Sequence, residues 1–213
     1  MLSLENAQSW YPGNDPVHGF DHVRRVYRLA ERLAESEGAD IEIVRAAALL
    51  HDAHANQSEG EQSKSSRQSH HESAAEFARQ VLQGEGWHED RIASVVHCIR
   101  AHRYRDESEQ PKTLEARVLF DADKLDAIGA IGVARAIGFA ILAGQPIFAP
   151  PTPAFLNSGR TQPGEAHSAY HEYVFKLSKL KDRLHTPSAL TIAETRHQLM
   201  VQYFETLAGE CGV

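Results

Sequence analysis

Cysteine is scarce in this chain of 213 residues, which contains only Cys98 and Cys211. Two such distant residues give no disulfide framework and no cysteine-type metal spacing, so we expect both to be reduced thiols. No window approaches the roughly 18 apolar residues that a membrane-spanning helix needs, and residues 1–10 lack a basic start followed by an apolar stretch. These absences predict a cytoplasmic protein without a membrane partner.

The chain also has few positive charges relative to negative ones, because it contains 22 Lys and Arg and 29 Asp and Glu, which gives a net charge of −7. Such a chain repels a phosphodiester polymer at long range, which argues against a nucleic-acid polymer as partner. Strand-like alternation and internal repeats are lacking as well. The hydrophobic fraction of 42% is that of an ordinary globular protein. We therefore predict an all-α protein with a single compact domain over residues 1–213.

Helical periodicity divides the chain into segments. Apolar residues recur at helical spacing from Phe20 to Ala34, and more densely from Ile41 to Leu50. Further helices are predicted at 69–83, 88–102, 166–184 and from Thr186 onward, with a long apolar pattern over 113–142 that glycines interrupt. Polar residues 56–69 and proline-containing residues 144–164 are predicted loops. The core is expected at about 15–142, followed by C-terminal helices over 166–208.

Histidines and carboxylates occur where an apolar core is predicted. His51 and Asp52 end the densely apolar helix, where a polar pair needs compensation for leaving water and a cation would supply it. His18 and His22 are four residues apart and would share one helix face. Three carboxylates also lie within the apolar pattern of 119–127, and we expect one or more of them to face a cation. They are Asp121, Asp123 and Asp126.

These segments resemble the HD-domain metal-dependent phosphohydrolases, whose pattern is a His, a His-Asp pair and a distant Asp on a later helix. His22, His51-Asp52 and Asp123 match it. The similarity extends to His-x-x-Arg-Val, Leu-Leu-His-Asp, His-His-Glu-Ser-Ala and the segment 121–132, which together span most of the chain. It implies a multi-helix HD-domain bundle with a metal site between core helices.

The resemblance implies that one divalent metal ion is bound by His22, His51, Asp52 and Asp123, with Asp121 as the alternative to Asp123. Two imidazole nitrogens and two carboxylate oxygens suit Mn²⁺, Fe²⁺, Co²⁺, Ni²⁺ or Zn²⁺. The family resemblance favours Mn²⁺ or Mg²⁺ as the working ion. In the predicted reaction the ion polarises a phosphoryl group and activates water for attack on phosphorus.

The resemblance implies that the substrate is a small phosphorylated metabolite, in particular a nucleotide, and that the enzyme is a nucleoside triphosphate pyrophosphohydrolase or a nucleotidase. Lys124 and Arg25 are predicted to bind the phosphoryl oxygens, on which charge grows during the reaction. His18 and Asp126 are predicted to contact the substrate as well. The general acid is open among five residues. They are His70, His71, Glu72, His102 and Asp126.

Several alternatives stay open at this level. His70 and His71 could instead be solvent-facing residues at a helix start, and His54 an exposed loop residue, whereas His102 is a better pocket candidate than His97. A di-iron HD-type oxygenase would use such histidines as further ligands, and a metal count of two would favour it. A cyclic nucleotide phosphodiesterase, a non-catalytic nucleotide sensor and a homodimer are further possibilities.

Overall fold

A computed structural model describes residues 2–11, 19–53, 66–103 and 109–212, and for residues 66–71 it describes the backbone alone. All regular secondary structure in these residues is helical, which confirms the all-α prediction. The chain divides into two compact units, Met1–Asp123 and Lys124–Val213. The single domain over 1–213 stays a prediction.

The first unit contains helices α1 to α5 and most of α6, as given by their bounds. These are α1 Leu4–Ala7 with a 3-10 turn at Gln8–Trp10, α2 Phe20–Glu37, α3 Ile41–Leu50, α4 Ser66–Gly84, α5 Glu89–Ala101 and α6 Leu114–Asp126. The predicted helices at 20–34, 41–50, 69–83 and 88–102 are confirmed as α2 to α5. The predicted loop at 56–69 lies mostly outside the described residues, and α4 already begins at Ser66.

Helix α3 is the apolar centre of the first unit, because its residues from Ala46 to Leu50 are all buried. Asp40 caps its beginning, and the Asp40 carboxylate accepts hydrogen bonds from the backbone N–H groups of Glu42 and Ile43 at 3.0 and 3.2 Å. Helix α2 is amphipathic and buries one stripe. That stripe contains His22, Val23, Val26, Leu29, Ala30, Leu33 and Ala34.

The second unit contains the end of α6 and four further helices. These are α7 Gly129–Leu142, α8 Pro153–Ser158, α9 Ala169–Phe175 and α10 Pro187–Glu210, with 3-10 turns at Leu177–Lys179 and Lys181–Arg183. The predicted loop 144–164 thus contains α8, and the predicted helix 166–184 is a short helix followed by two turns. The helix predicted from Thr186 onward is confirmed as α10, and Thr186 caps it, since its hydroxyl accepts a hydrogen bond from the Ala189 N–H.

The apolar pattern predicted over 113–142 is divided between α6 and α7. Gly129 begins α7 with a φ of 76°, in the left-handed region that favours glycine. A Cβ atom there would lie 2.9 Å from Cβ of Arg196, so the close approach of α10 also requires glycine. Among the residues described, no single helix is long and apolar enough to cross a membrane, and one bent pair of helices passes that test by length and composition.

Candidate metal centre

Two histidines and one carboxylate from different helices meet in the first unit. His22 lies in the first turn of α2 on its buried stripe, His51 follows the last residue of α3, and Asp123 lies on α6. The nitrogen and oxygen atoms that these side chains can offer to a metal all lie within 4.8 Å of one another. Two of the three residues, His22 and His51, are buried, and Asp123 is partly exposed.

His51 presents a bare nitrogen to this cluster. Its Nδ1 lies 2.9 Å from the Ala48 carbonyl oxygen and donates its hydrogen there, which leaves Nε2 as the lone-pair nitrogen. Burial lowers the pKa of His51, so the ring is neutral at neutral pH. Nε2 is buried and makes no hydrogen bond with any residue that the structure describes. A buried acceptor of this kind is suited to bind a cation.

The distances around His51 and His22 suit a bound divalent ion. Nε2 of His22 lies 3.3 Å from Oδ1 of Asp123, and Nε2 of His51 lies 3.5 Å from Oδ2 of Asp52. Two ligands bound to one ion by bonds of about 2.1 Å are separated by roughly 3 to 4.2 Å. The donor set therefore fits a divalent ion with small side-chain adjustments.

Asp52 is ionised in this environment. Desolvation by the surrounding protein raises the pKa of its carboxyl, but interactions with His51, His102 and His22 outweigh that effect and hold the pKa well below its usual range. Its side chain keeps 38% of its accessible surface, in contrast to the enclosed His51 ring. Asp52 thus offers a negative carboxylate that small molecules in solution can reach.

His102 completes a row of three imidazoles. The ring centroids of His22 and His51 are 5.5 Å apart, and those of His51 and His102 are 5.3 Å apart. His102 follows the last residue of α5, its Nδ1 donates to the Ile99 carbonyl, and its Nε2 lies 3.7 Å from Oδ1 of Asp52. The structure thus brings His102 to the Asp52 side of the cluster.

The other predicted residues differ in their placement. Arg25 is partly exposed on α2, one turn after His22. Lys124 and Asp126 belong to the second unit, where Lys124 is buried and the Asp126 carboxylate pairs with Arg135 at 2.7 Å. Asp121 is buried on α6. The pairing with Arg135 gives Asp126 a structural partner that the sequence pattern did not predict.

Four predicted histidines are not described at the level of side chains. His18 and His54 lie outside the described residues, and of His70 and His71 the structure describes the helical backbone. His97 is described, and it lies in a different network: its Nδ1 is 2.5 Å from Oε1 of Glu109, and its Nε2 accepts a hydrogen bond from the Lys112 N–H.

Tyr11 contacts α3, the helix that His51 follows, and the sequence patterns did not identify Tyr11 as a site residue. Its hydroxyl donates a hydrogen bond of 2.7 Å to the carbonyl oxygen of Leu49, near the end of α3. The segment before α2 is too short for a periodic signal, and a single tyrosine has no motif. Its contact with α3 depends on tertiary packing and leaves no trace in local sequence.

The helical fold and this cluster of possible metal ligands are those that the resemblance to the metal-dependent phosphohydrolases predicts. The sequence model of the family described as HD domain matches residues 19–128, which is more than half of the chain. The chain therefore belongs to the HD domain family, and the resemblance seen in the sequence is confirmed. The match includes His22, His51, Asp52 and Asp123.

Known relatives cover nearly the whole chain. The protein YpgQ of Bacillus subtilis (strain 168) is 34% identical over 204 residues, which are 94% of this chain and 88% of YpgQ. The crystal structure of Bacillus subtilis YpgQ in complex with ADP is similar with a TM-score of 0.72 and 28% identity, covering 99% of this chain and 98% of that one. An HD-superfamily hydrolase from Bacillus thuringiensis gives a TM-score of 0.69 at 28% identity, over 99% and 97% of the two chains.

Proposed function

We propose that this protein hydrolyses a phosphate ester or anhydride of a nucleotide, with one divalent ion bound by His22, His51, Asp52 and Asp123. The observation that carries the proposal is the buried Nε2 of His51, which makes no hydrogen bond among the described residues and lies beside two carboxylates. Burying such an acceptor without a partner is costly, and a divalent ion would relieve that cost.

The family resemblance favours Mn²⁺ or Mg²⁺ as the working ion, and the donor set suits Mn²⁺ better than Mg²⁺. Two carboxylate oxygens suit hard divalent cations, and two imidazoles favour Mn²⁺ over Mg²⁺ among them. A bound ion would polarise a phosphoryl oxygen and lower the pKa of a water molecule for attack on phosphorus. The water oxygen would bond to phosphorus as the bond from phosphorus to the leaving oxygen breaks. This releases an alcohol, phosphate or pyrophosphate without a covalent enzyme intermediate.

The support for a nucleotide comes from a relative. YpgQ was crystallised in complex with ADP, which contains both a phosphate anhydride and a phosphate ester. Because this chain is 34% identical to YpgQ over 94% of its length, a nucleotide is the first substrate class to test. Arg25, one turn after His22, and Lys124, directly after Asp123 in sequence, are proposed to bind the anionic phosphates.

The test uses metal-stripped protein and a panel of nucleoside mono-, di- and triphosphates, with Mn²⁺, Mg²⁺, Co²⁺ or Ni²⁺ added separately. Release of phosphate, pyrophosphate and nucleoside or nucleotide is followed for the wild type and for Asp123→Asn. Asp21→Asn is the matched control, because Asp21 precedes His22 on α2 and its side chain is 86% exposed. It makes the same chemical change outside the cluster.

We expect turnover that requires added metal, is lost in Asp123→Asn and is kept in Asp21→Asn. Release of pyrophosphate from triphosphates would identify attack at the α-phosphorus, and release of phosphate would identify attack at a terminal phosphorus. Metal-independent turnover, or equal turnover in Asp123→Asn and Asp21→Asn, would contradict the proposal.

A further inference from the structure

Tyr11 precedes residues 19–128, which match the HD domain, yet it contacts the two helices that position His22 and His51. Its hydroxyl donates to the carbonyl of Leu49, two residues before His51. Its ring lies 5.6 Å, centroid to centroid, from the ring of Phe20, two residues before His22. One side chain thus joins the end of α3 to the beginning of α2.

The hydroxyl of Tyr11 completes the hydrogen bonding at the end of α3. The last carbonyls of a helix have no partner within it and need one from elsewhere. Here the Ala48 carbonyl accepts from the His51 ring, the Leu49 carbonyl accepts from Tyr11, and the Leu50 carbonyl accepts from the Ala53 N–H at 3.2 Å. The turn that presents His51 and Asp52 is therefore held at three successive carbonyls.

The segment that carries Tyr11 is anchored. Ala7 is fully buried, Tyr11 is 7% exposed, and the Trp10 ring packs edge-on against Phe77 of α4 at 5.6 Å. Burial, together with the negative charge of Asp52, raises the pKa of Tyr11 well above its usual value, and a contact with the Asp52 backbone N–H opposes that increase. The phenol keeps its hydrogen at neutral pH and donates it.

We propose that Tyr11 is a positioning residue, which fixes the end of α3 against the beginning of α2 and thereby sets the affinity of the cluster for its divalent ion. The proposal rests on the proposed function, because it requires that His22 and His51 bind an ion. Without the hydroxyl, the buried Leu49 carbonyl loses its hydrogen-bond donor. The backbone of the turn that carries His51 and Asp52 then shifts so that this carbonyl can accept a hydrogen bond from another group. Supporting residues that orient metal ligands commonly change affinity by about 10-fold or more.

The test is Tyr11→Phe, which removes the hydroxyl and keeps the ring against Phe20. Tyr173→Phe is the matched control, since Tyr173 is also a buried tyrosine, on α9 in the second unit, and stacks on Phe204. Binding of Mn²⁺ to each metal-stripped protein is measured by calorimetry and by electron paramagnetic resonance. The melting temperature of each metal-free protein is recorded separately.

We expect Tyr11→Phe to bind Mn²⁺ about 10-fold more weakly than the wild type, and Tyr173→Phe to bind it as the wild type does. Turnover of Tyr11→Phe should return toward the wild-type value once Mn²⁺ is saturating, because the variant keeps every ligand. A lower melting temperature with unchanged Mn²⁺ affinity would overturn the role of Tyr11, as would an equal loss in both variants. A wild type that binds no divalent ion would overturn the proposed function itself, and Tyr11 with it.

Discussion

Nε2 of His102 lies 3.7 Å from Oδ1 of Asp52, while Nε2 of His51 lies 3.5 Å from Oδ2 of the same carboxylate. Both histidines directly follow the last residue of a helix, and both donate from Nδ1 to the carbonyl three residues earlier. Each ring is thereby turned so that Nε2 faces Asp52. The ends of α3 and α5 therefore use the same arrangement to present an imidazole Nε2 to one carboxylate.

This arrangement predicts that His102 supports Asp52 and is not required for the ion itself. We expect His102→Gln to keep one bound ion per chain while its kcat falls by roughly 10- to 100-fold, the usual effect of removing a partner of a metal ligand, here the proposed ligand Asp52. Among the described side chains, the possible ligand group consists of His22, His51 and Asp123, and neither His102 nor Asp52 belongs to it. Metal content by mass spectrometry and steady-state kinetics measure the two effects.

His88→Gln serves as the control for His102→Gln, because His88 is exposed at the other end of α5. It should keep wild-type metal content and kcat. A wild type that holds two ions per chain, with one lost in His102→Gln, would instead identify His102 as a ligand of a second ion. That outcome would favour the di-iron oxygenase over the hydrolase.

The helices that carry the cluster were predictable because each has one strongly apolar stripe or is apolar all round. Helices α2 and α3 agree with their predicted positions for this reason. The residue at which α6 ends and α7 begins was not predictable, because Ile128 continues the apolar pattern. The need for glycine at position 129 comes from its contact with Arg196, which is distant in sequence. Helix α8 begins at Pro153 after the capping residue Thr152, and α10 begins with the same Thr-Pro pair, so a sequence signal for α8 was present.

The candidate ligands followed from the order of residues, whereas their orientation required the fold. No sequence pattern specifies that Nδ1 of His51 donates to Ala48, and this bond determines which nitrogen faces the cluster. For Asp126 the sequence did not predict the partner: its position in the motif suggested contact with the substrate, and the structure pairs its carboxylate with Arg135. Local sequence predicts which residue types gather, and long-range packing decides their partners.

The two cysteines should differ sharply in reactivity. Burial raises the pKa of the Cys98 thiol, while Cys211 is exposed beyond the end of α10. Because the thiolate is the reactive form, a thiol reagent such as DTNB should titrate one cysteine per folded chain and the second after denaturation. Cys211→Ser should abolish the fast reaction. Two fast-reacting thiols in the native wild type would contradict the enclosed position of Cys98.

Two glycines of α7 should respond to alanine in opposite directions. A Cβ atom at Gly132 would clash with the carbonyl oxygen of Ala127, whereas one at Gly138 would meet nothing within 4 Å. We expect Gly132→Ala to lower the free energy of unfolding by about 1–3 kcal/mol through overpacking against backbone. Gly138→Ala should raise it by about 0.5–1 kcal/mol, since alanine is the better helix former. Chemical denaturation measures the free energy of unfolding of both variants. An unchanged value for Gly132→Ala would contradict the prediction, because it would show that the backbone moves to accommodate the methyl group.

Glu165 should make the second unit less stable as the pH falls into the acid range. Backbone N–H groups of Gln162 and Thr152 donate to its carboxylate at 2.7 and 2.8 Å and lower its pKa to about 2, from an ordinary value of 4.5. A lowered pKa means that the unfolded chain binds the proton more readily than the folded one. The stabilisation is therefore complete above about pH 4.5 and is lost as the pH falls toward 2. Glu165→Gln should be less stable than the wild type at neutral pH, and the difference should shrink on acidification. Glu205→Gln, at an exposed position of α10, is the control for the same chemical change. Denaturation curves at a series of pH values measure this, and a difference that stays constant with pH would refute the assignment.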